Sequence, residues 1–193
     1  MLPVELAFVD IETTGSNLTN DRVLEVAIIR TNGHQVTDVF SSVINPKIQV
    51  SPYILNFTSI KKKEINKAPS FEELKDEMLG LLEGAVFVAH NVEFDYNFLK
   101  NEFLRNGIDL NLDRLCTVKL SKALYPDYRR HNLDEIIRRH SIECLSRHRA
   151  LGDAKVIFEF YHKMLTEFPE EKLDKVIKRL LQLAIIPLTG IKQ

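Results

Sequence analysis

Phe8-Val9-Asp10-Ile11-Glu12-Thr13-Thr14-Gly15 is the stretch from which the rest of the chain can be organised, because two carboxylates interrupt what is otherwise a buried-strand composition. From Val4 to Glu12 the residues are largely apolar or β-branched, as in a strand covered on both faces of a mixed α/β sheet. Alternation along a strand puts Val4, Leu6, Phe8, Asp10 and Glu12 on one side and Ala7, Val9 and Ile11 on the other. Asp10 and Glu12 therefore point the same way, roughly 7 Å apart at Cα. Two like charges on a partly buried face are costly unless something positive lies between them, and a divalent cation meets that need. Alternatively the strand ends at Asp10 and both acids are solvated, with Thr13-Thr14-Gly15 as the turn. The pair alone does not decide.

Bulk properties narrow the setting. At 193 residues and 45% apolar, the chain suits one compact α/β domain with a small appendage. Its net charge of −1 means that contact with nucleic acid must rely on a local patch. Cys116 and Cys144 have no CxxC spacing, which argues against a disulfide framework or a zinc cluster. There is no apolar run long enough for a membrane span and no signal-peptide pattern, so a soluble, cytoplasmic setting without membrane partners is expected.

Working outward, residues 22–30 and 35–45 read as two further strands joined by a turn at Asn32 and Gly33, giving a three-stranded meander. Pro46 and Pro52 mark a break, and residues 53–69 are expected to be irregular, with Lys61, Lys62 and Lys63 as a solvated run. Ser70 and Glu73 form a capping-box pattern ahead of a helix that buries Phe71, Leu74, Met78, Leu81 and Leu82. Residues 85–89 form a buried strand. Asn91 then caps a helix to about Arg105, with Val92, Phe98, Leu99 and Phe103 inward and Asp95 on the same stripe.

A short strand at 113–117 leads into a helix ending at Tyr125-Pro126, followed by another helix from Asn132 to His140. Residues 129–149 hold six arginines against three acids; solvated helix faces or a phosphate-attracting rim both account for them. The last long helix starts near Arg147 or His148 and runs to about Phe168, burying Ala150, Ala154, Ile157, Tyr161 and Met164. Asp153 adjoins that stripe, while His148 stands at the helix entrance. Residues 169–184 suggest an amphipathic helix, and the rest of the chain forms an apolar tail. The expected division is a domain over 1–168 and a C-terminal helix and tail over 169–193, which either begins a linker to a further domain or docks onto a polymerase or repair partner.

Asp10, Glu12, Asp95 and Asp153 thus stand at inward positions on one strand and two helices. Hard oxygen donors without cysteine suit Mg²⁺ or Mn²⁺, and two such ions can stabilise both the attacking and leaving oxygens of an in-line displacement at phosphorus.

The ordered motifs at 10–15, Ala89-His90-Asn91-Val92-Glu93-Phe94-Asp95 and His148-Arg149-Ala150-Leu151-Gly152-Asp153 resemble those of the DEDDh exonucleases, the group containing the proofreading epsilon subunit of bacterial DNA polymerase III. The resemblance spans roughly residues 4–166 and implies an α/β, RNase H-like mixed sheet flanked by helices. It further implies two Mg²⁺ (or Mn²⁺) ions and 3′ to 5′ hydrolysis of nucleic acid, with release of nucleoside 5′-monophosphates. Single-stranded or frayed DNA 3′ ends are the favoured substrate and RNA the alternative. A non-catalytic module that binds 3′ ends is a reading of a different class.

Carried over, the resemblance makes Asp10 the bridge between both metals, adds Glu12 and Asp153 at the tighter site and Asp95 at the second, and makes His148 the general base. Thr13, Thr14 and Gly15 would present backbone groups to the terminal nucleotide, with Asn91 and Phe94 nearby. Where many relatives have Thr-Gly-Ile, this chain has Thr58-Ser59-Ile60; serine disfavours the positive φ that glycine accepts, so that loop is expected to differ. Residues 113–168 further resemble bacterial proteins in which such an exonuclease precedes a GIY-YIG endonuclease domain, although this chain has no GIY-YIG motif. That likeness implies an excised domain or a stand-alone relative.

Overall fold

The computed structural model describes residues 5–33 and 35–185; Val4 and the tail from residue 186 lie outside them. The opening stretch forms β1 (Leu6–Thr13), antiparallel to β2 (Val23–Thr31), which pairs with β3 (Val36–Val43) in turn. On the other side of β1 lie β4 (Val86–Ala89) and β5 (Arg114–Cys116), both running parallel to it. The five-stranded order is β3-β2-β1-β4-β5, with the meander as expected and β1 at the centre.

Alternation along β1 sorts the two cores. Ala7, Val9 and Ile11 pack against α3 (Phe71–Leu82) and α4 (Val92–Arg105) through Met78, Phe98 and Phe103. Leu6 and Phe8 pack against α7 (Ala150–Glu167) through Ile157 and Tyr161. That second layer also takes in α5 (Thr117–Leu124), α6 (Leu133–His140) and α8 (Glu170–Ile185), whose Leu173 and Ile177 are buried in the same cluster. Leu6, Ala7, Phe8 and Val9 are all fully buried, each contributing about 1.5–3 kcal/mol of transfer free energy for the larger side chains. No helix among the described residues is long and apolar enough to cross a membrane.

Four local expectations are corrected. Residues 53–69 are not irregular: they carry α1 (Pro52–Thr58) and α2 (Lys62–Lys67). Pro52 starts a helix instead of breaking the chain, because at the first helical turn its missing N–H costs nothing, and Ser51 accepts from Ile54 N–H at 3.3 Å. Ser59 takes the left-handed conformation itself (φ 59°), so the turn expected to need glycine forms with serine. Asn91 precedes α4 but does not cap it through its side chain; at φ 71° it turns the chain sharply out of β4, a conformation that asparagine tolerates. The entrance of α7 also lies later than expected, at Ala150, because His148 has φ 60° and cannot be helical. The capping box at Ser70 is present, with Ser70 N–H donating to Glu73 at 2.8 Å. Lys61, Lys62 and Lys63 are exposed.

Candidate active site

At the carboxyl end of β1 the two helical layers come together, and with them the acids. Asp95, from the first turn of α4, is buried, and its Oδ1 accepts from the backbone N–H of Ile11 at 3.2 Å. Asp153, from the first turn of α7, is 4% exposed. Carboxylate oxygens of Glu12 and Asp153 and a ring nitrogen of His148 lie within 4.8 Å of one another, close enough to share a cation.

The electrostatics tie in the other two acids. Burial, followed by the charges of Asp95, Asp153 and Glu12, pushes Asp10 well above the usual carboxylate range. Glu12 is pushed up to about 8, by burial first and Asp153 next. Asp95 reaches about 8 through burial, against the pull of its backbone hydrogen bonds. Asp153 is raised by burial, with Arg147 opposing. Such a cluster suits either shared protons or multivalent cations.

A cation also fits the donor set. The four acids are hard oxygen donors, and Oδ1 of Asp153 is buried with no hydrogen-bond partner among the described residues. These residues could hold divalent ions.

The expected substrate residues lie around this centre. A β-bulge falls between Glu12 and Thr13. Thr13 donates its hydroxyl to Gly15 O at 2.6 Å, whereas the Thr14 N–H is committed to Arg22 O at 2.9 Å and its hydroxyl to Asp21 at 2.9 Å. Asn91 and Phe94 are exposed, the latter with its ring 4.9 Å from Phe98.

Further residues shape the site beyond the candidate set. Glu25 of β2, opposite Glu12 and 3% exposed, accepts from Arg149 Nη2 at 2.7 Å and Nε at 3.0 Å, and from Ala150 N–H at 2.9 Å. This clamp ties the entrance of α7 to the sheet. Arg147 donates to both Asp153 and Asp134. With Arg138 paired to Glu135 and Arg139 lying 3.6 Å over the Tyr128 ring, four of the six arginines of the 129–149 window engage the protein itself. Gly152 has a specific reason to be glycine: a Cβ there would lie 2.0 Å from the Ser146 carbonyl oxygen. The Phe57 ring lies 4.2 Å from His148 and next to Tyr53, its neighbour on α1; both aromatics are exposed. Glu25 carries a visible signal, an acid inside an apolar strand; Phe57 and Tyr53 carry none, since a seven-residue helix shows too little periodicity to mark its faces.

Comparisons with known proteins bear on the family and the fold. The family model RNase T, described as exonuclease, matches residues 7–161. A DNA polymerase III PolC-type of Caldanaerobacter subterraneus subsp. tengcongensis is 34% identical over 172 residues, 89% of this chain and 12% of the relative. The 3′-5′ exonuclease DinG of Staphylococcus epidermidis is 33% identical over 169 residues, 87% of this chain and 19% of the relative. The chain thus spans under a fifth of the length of these two relatives. Among solved structures, E. coli exonuclease I in complex with a dA16 oligonucleotide superposes with a TM-score of 0.78 at 20% identity, covering 89% of this chain and 42% of that one. The nuclease domain of 3′hExo, a DEDDh family member bound to rAMP, gives 0.72 at 16% identity, covering 86% and 93%. The fold is the RNase H-like fold of the DEDDh exonucleases, and the chain belongs to the exonuclease family whose model it matches.

Proposed function

We propose that the chain is a 3′ to 5′ exonuclease dependent on two divalent ions, Mg²⁺ or Mn²⁺, that releases nucleoside 5′-monophosphates from single-stranded or frayed DNA 3′ ends. The carrying observation is the convergence of buried Asp95 and Asp153 on Asp10 and Glu12, with His148 beside Glu12 and Asp153. When bound, the ions supply Lewis-acid stabilisation of the attacking and leaving oxygens. Asp10, Glu12, Asp95 and Asp153 hold them, and His148 accepts the proton of the attacking water, a role that imidazole fits near neutral pH.

Thr13, Thr14 and Gly15, with Asn91 and Phe94, line the place assigned to the terminal nucleotide. Exposed Phe57 and Tyr53 beside His148 offer ring faces on which bases can stack. DNA as substrate, and a role in proofreading or repair beside a polymerase, are favoured by the PolC-type relative.

The test is degradation of 3′-labelled DNA and RNA oligomers in parallel, with and without Mg²⁺. Mononucleotide release is expected, faster from DNA, and lost in folded Asp10→Ala and Asp153→Ala; His148→Ala is expected to lose most of the rate while still binding Mn²⁺. Faster turnover of RNA reverses the substrate assignment. A wild type inactive in both Mg²⁺ and Mn²⁺ leaves a module that only binds 3′ ends.

A further inference from the structure

Arg147 is an odd neighbour for a cation site. It directly precedes His148, its side chain is 26% exposed, and it donates through Nη1 to Asp153 Oδ2. Its Nε donates to Oδ1 of Asp134, on the first turn of α6, at 2.8 Å. A positive charge on a metal-binding carboxylate has two opposite readings. It can occupy the ion's place, in which case the ion must expel it. Or it can hold the carboxylate in the pose that the ion needs.

The two oxygens of Asp153 separate these readings. Oδ2 takes both the Arg147 guanidinium and the His148 backbone N–H, the latter at 3.3 Å. Oδ1 is buried and has no partner among the described residues. The bonds from Arg147 and His148 therefore fix the rotation of the carboxylate and leave one oxygen free. Asp134 steadies the guanidinium from the far side, and its own side chain is 72% exposed, so it serves as an anchor in solvent. The planar fork of arginine suits this bridging of two carboxylates from two elements.

We propose that Arg147 is a positioning residue for metal binding: bridging Asp134 and Asp153, it presents Asp153 Oδ1 to a divalent ion and joins α6 to the entrance of α7. The inference rests on the metal reading of the site. Partners that orient metal ligands in this way typically matter by about 10–100-fold in affinity, and this bridge acts through Asp153 without contributing a ligand.

The experiment is calorimetric titration of the metal-free protein with Mn²⁺. Arg147→Met is expected to weaken Mn²⁺ binding by about 10–100-fold, to raise in step the Mn²⁺ concentration giving half-maximal activity, and to leave KM for the oligonucleotide at saturating Mn²⁺ near wild type. Asp134→Asn, at an exposed position that should not threaten folding, is expected to weaken binding by about 2–5-fold. Unchanged or tighter binding in Arg147→Met overturns the inference and leaves the metal reading intact, tighter binding being the mark of an arginine that occupies the ion's place. If Arg147→Met does not fold, Asp134→Asn decides by the same sign. A wild type that binds no Mn²⁺ overturns the metal reading itself, and the inference with it.

Discussion

The wall built by β1 and α4 and the loop leading into α7 both bury carboxylates beside His148, but they treat the charge differently. On the wall, burial first and then the charges of neighbouring acids, Asp153 among them, raise Asp10, Glu12 and Asp95. On the loop side, Glu25 is clamped by Arg149, and Asp153, though raised by burial, has Arg147 opposing that rise. The wall is thus a site under electrostatic stress, held in place by the strand and helix that carry it; the loop gains its shape from its ion pairs. Removing one charge should therefore have opposite signs on the two sides, which provides ways to break the contrast.

The largest effect on stability is expected on the loop side. Glu25→Gln leaves Arg149 without its counter-charge at the entrance of α7 and weakens the cap on Ala150. Breaking a buried pair costs about 3–5 kcal/mol, and the lower end applies because the Arg149 side chain is 33% exposed. Urea denaturation measures the loss. A loss under about 1 kcal/mol, the range of exposed pairs, would show that the clamp is ornamental.

On the wall the sign reverses. Asp95→Asn keeps an acceptor for the Ile11 N–H and removes a charge from a 4%-exposed position. Without metal at pH 9 it should stabilise the protein by about 1–2 kcal/mol. In excess Mg²⁺ the order should invert, because ion binding stabilises the wild type. A variant less stable than wild type in EDTA would mean that the wall is not under stress.

The pH dependence follows from the same groups. Glu12 and Asp95 bind protons more tightly when folded (both about 8) than when unfolded (4.5 and 3.8), so between these values the native state holds the extra protons. Stability of the metal-free protein should therefore be greatest in this respect near pH 4 and fall as pH rises through about 8, then level off. Melting temperatures in EDTA from pH 5 to 9 test this, and a rise across that range would contradict it.

The contrast also accounts for what could be read in the sequence. Asp10 and Glu12 announce themselves by interrupting an apolar run, and Asp95 and Asp153 by occupying core-facing stripes of long helices, where periodicity is strong. Helices of seven and six residues, as α1 and α2 are, give too few turns for a period, and Pro52 signals a helix start as readily as a break. Glu25 offered the same cue as Asp10, but its partner Arg149 lies 124 residues away, and such a pairing exists only once the sheet and α7 have met. The arginine window was visible as composition; which arginines face inward was not, because that depends on the left-handed turn at His148.

The smallest expected effect concerns the other border of His148. Ser59 ends α1 in the left-handed conformation, where a Cβ costs about 1 kcal/mol that glycine avoids. Glycine also gains freedom in the unfolded chain, so the two terms partly offset and Ser59→Gly should stabilise the protein by no more than about 1 kcal/mol. Its value lies in what it leaves alone. α1 delivers Phe57 to the His148 ring, and relieving strain at the end of that helix should raise the melting temperature slightly without moving the pH profile of hydrolysis. If the profile moves, strain at Ser59 is transmitted through Phe57 to His148, and the loop side of the site depends on α1 as well as on its arginines.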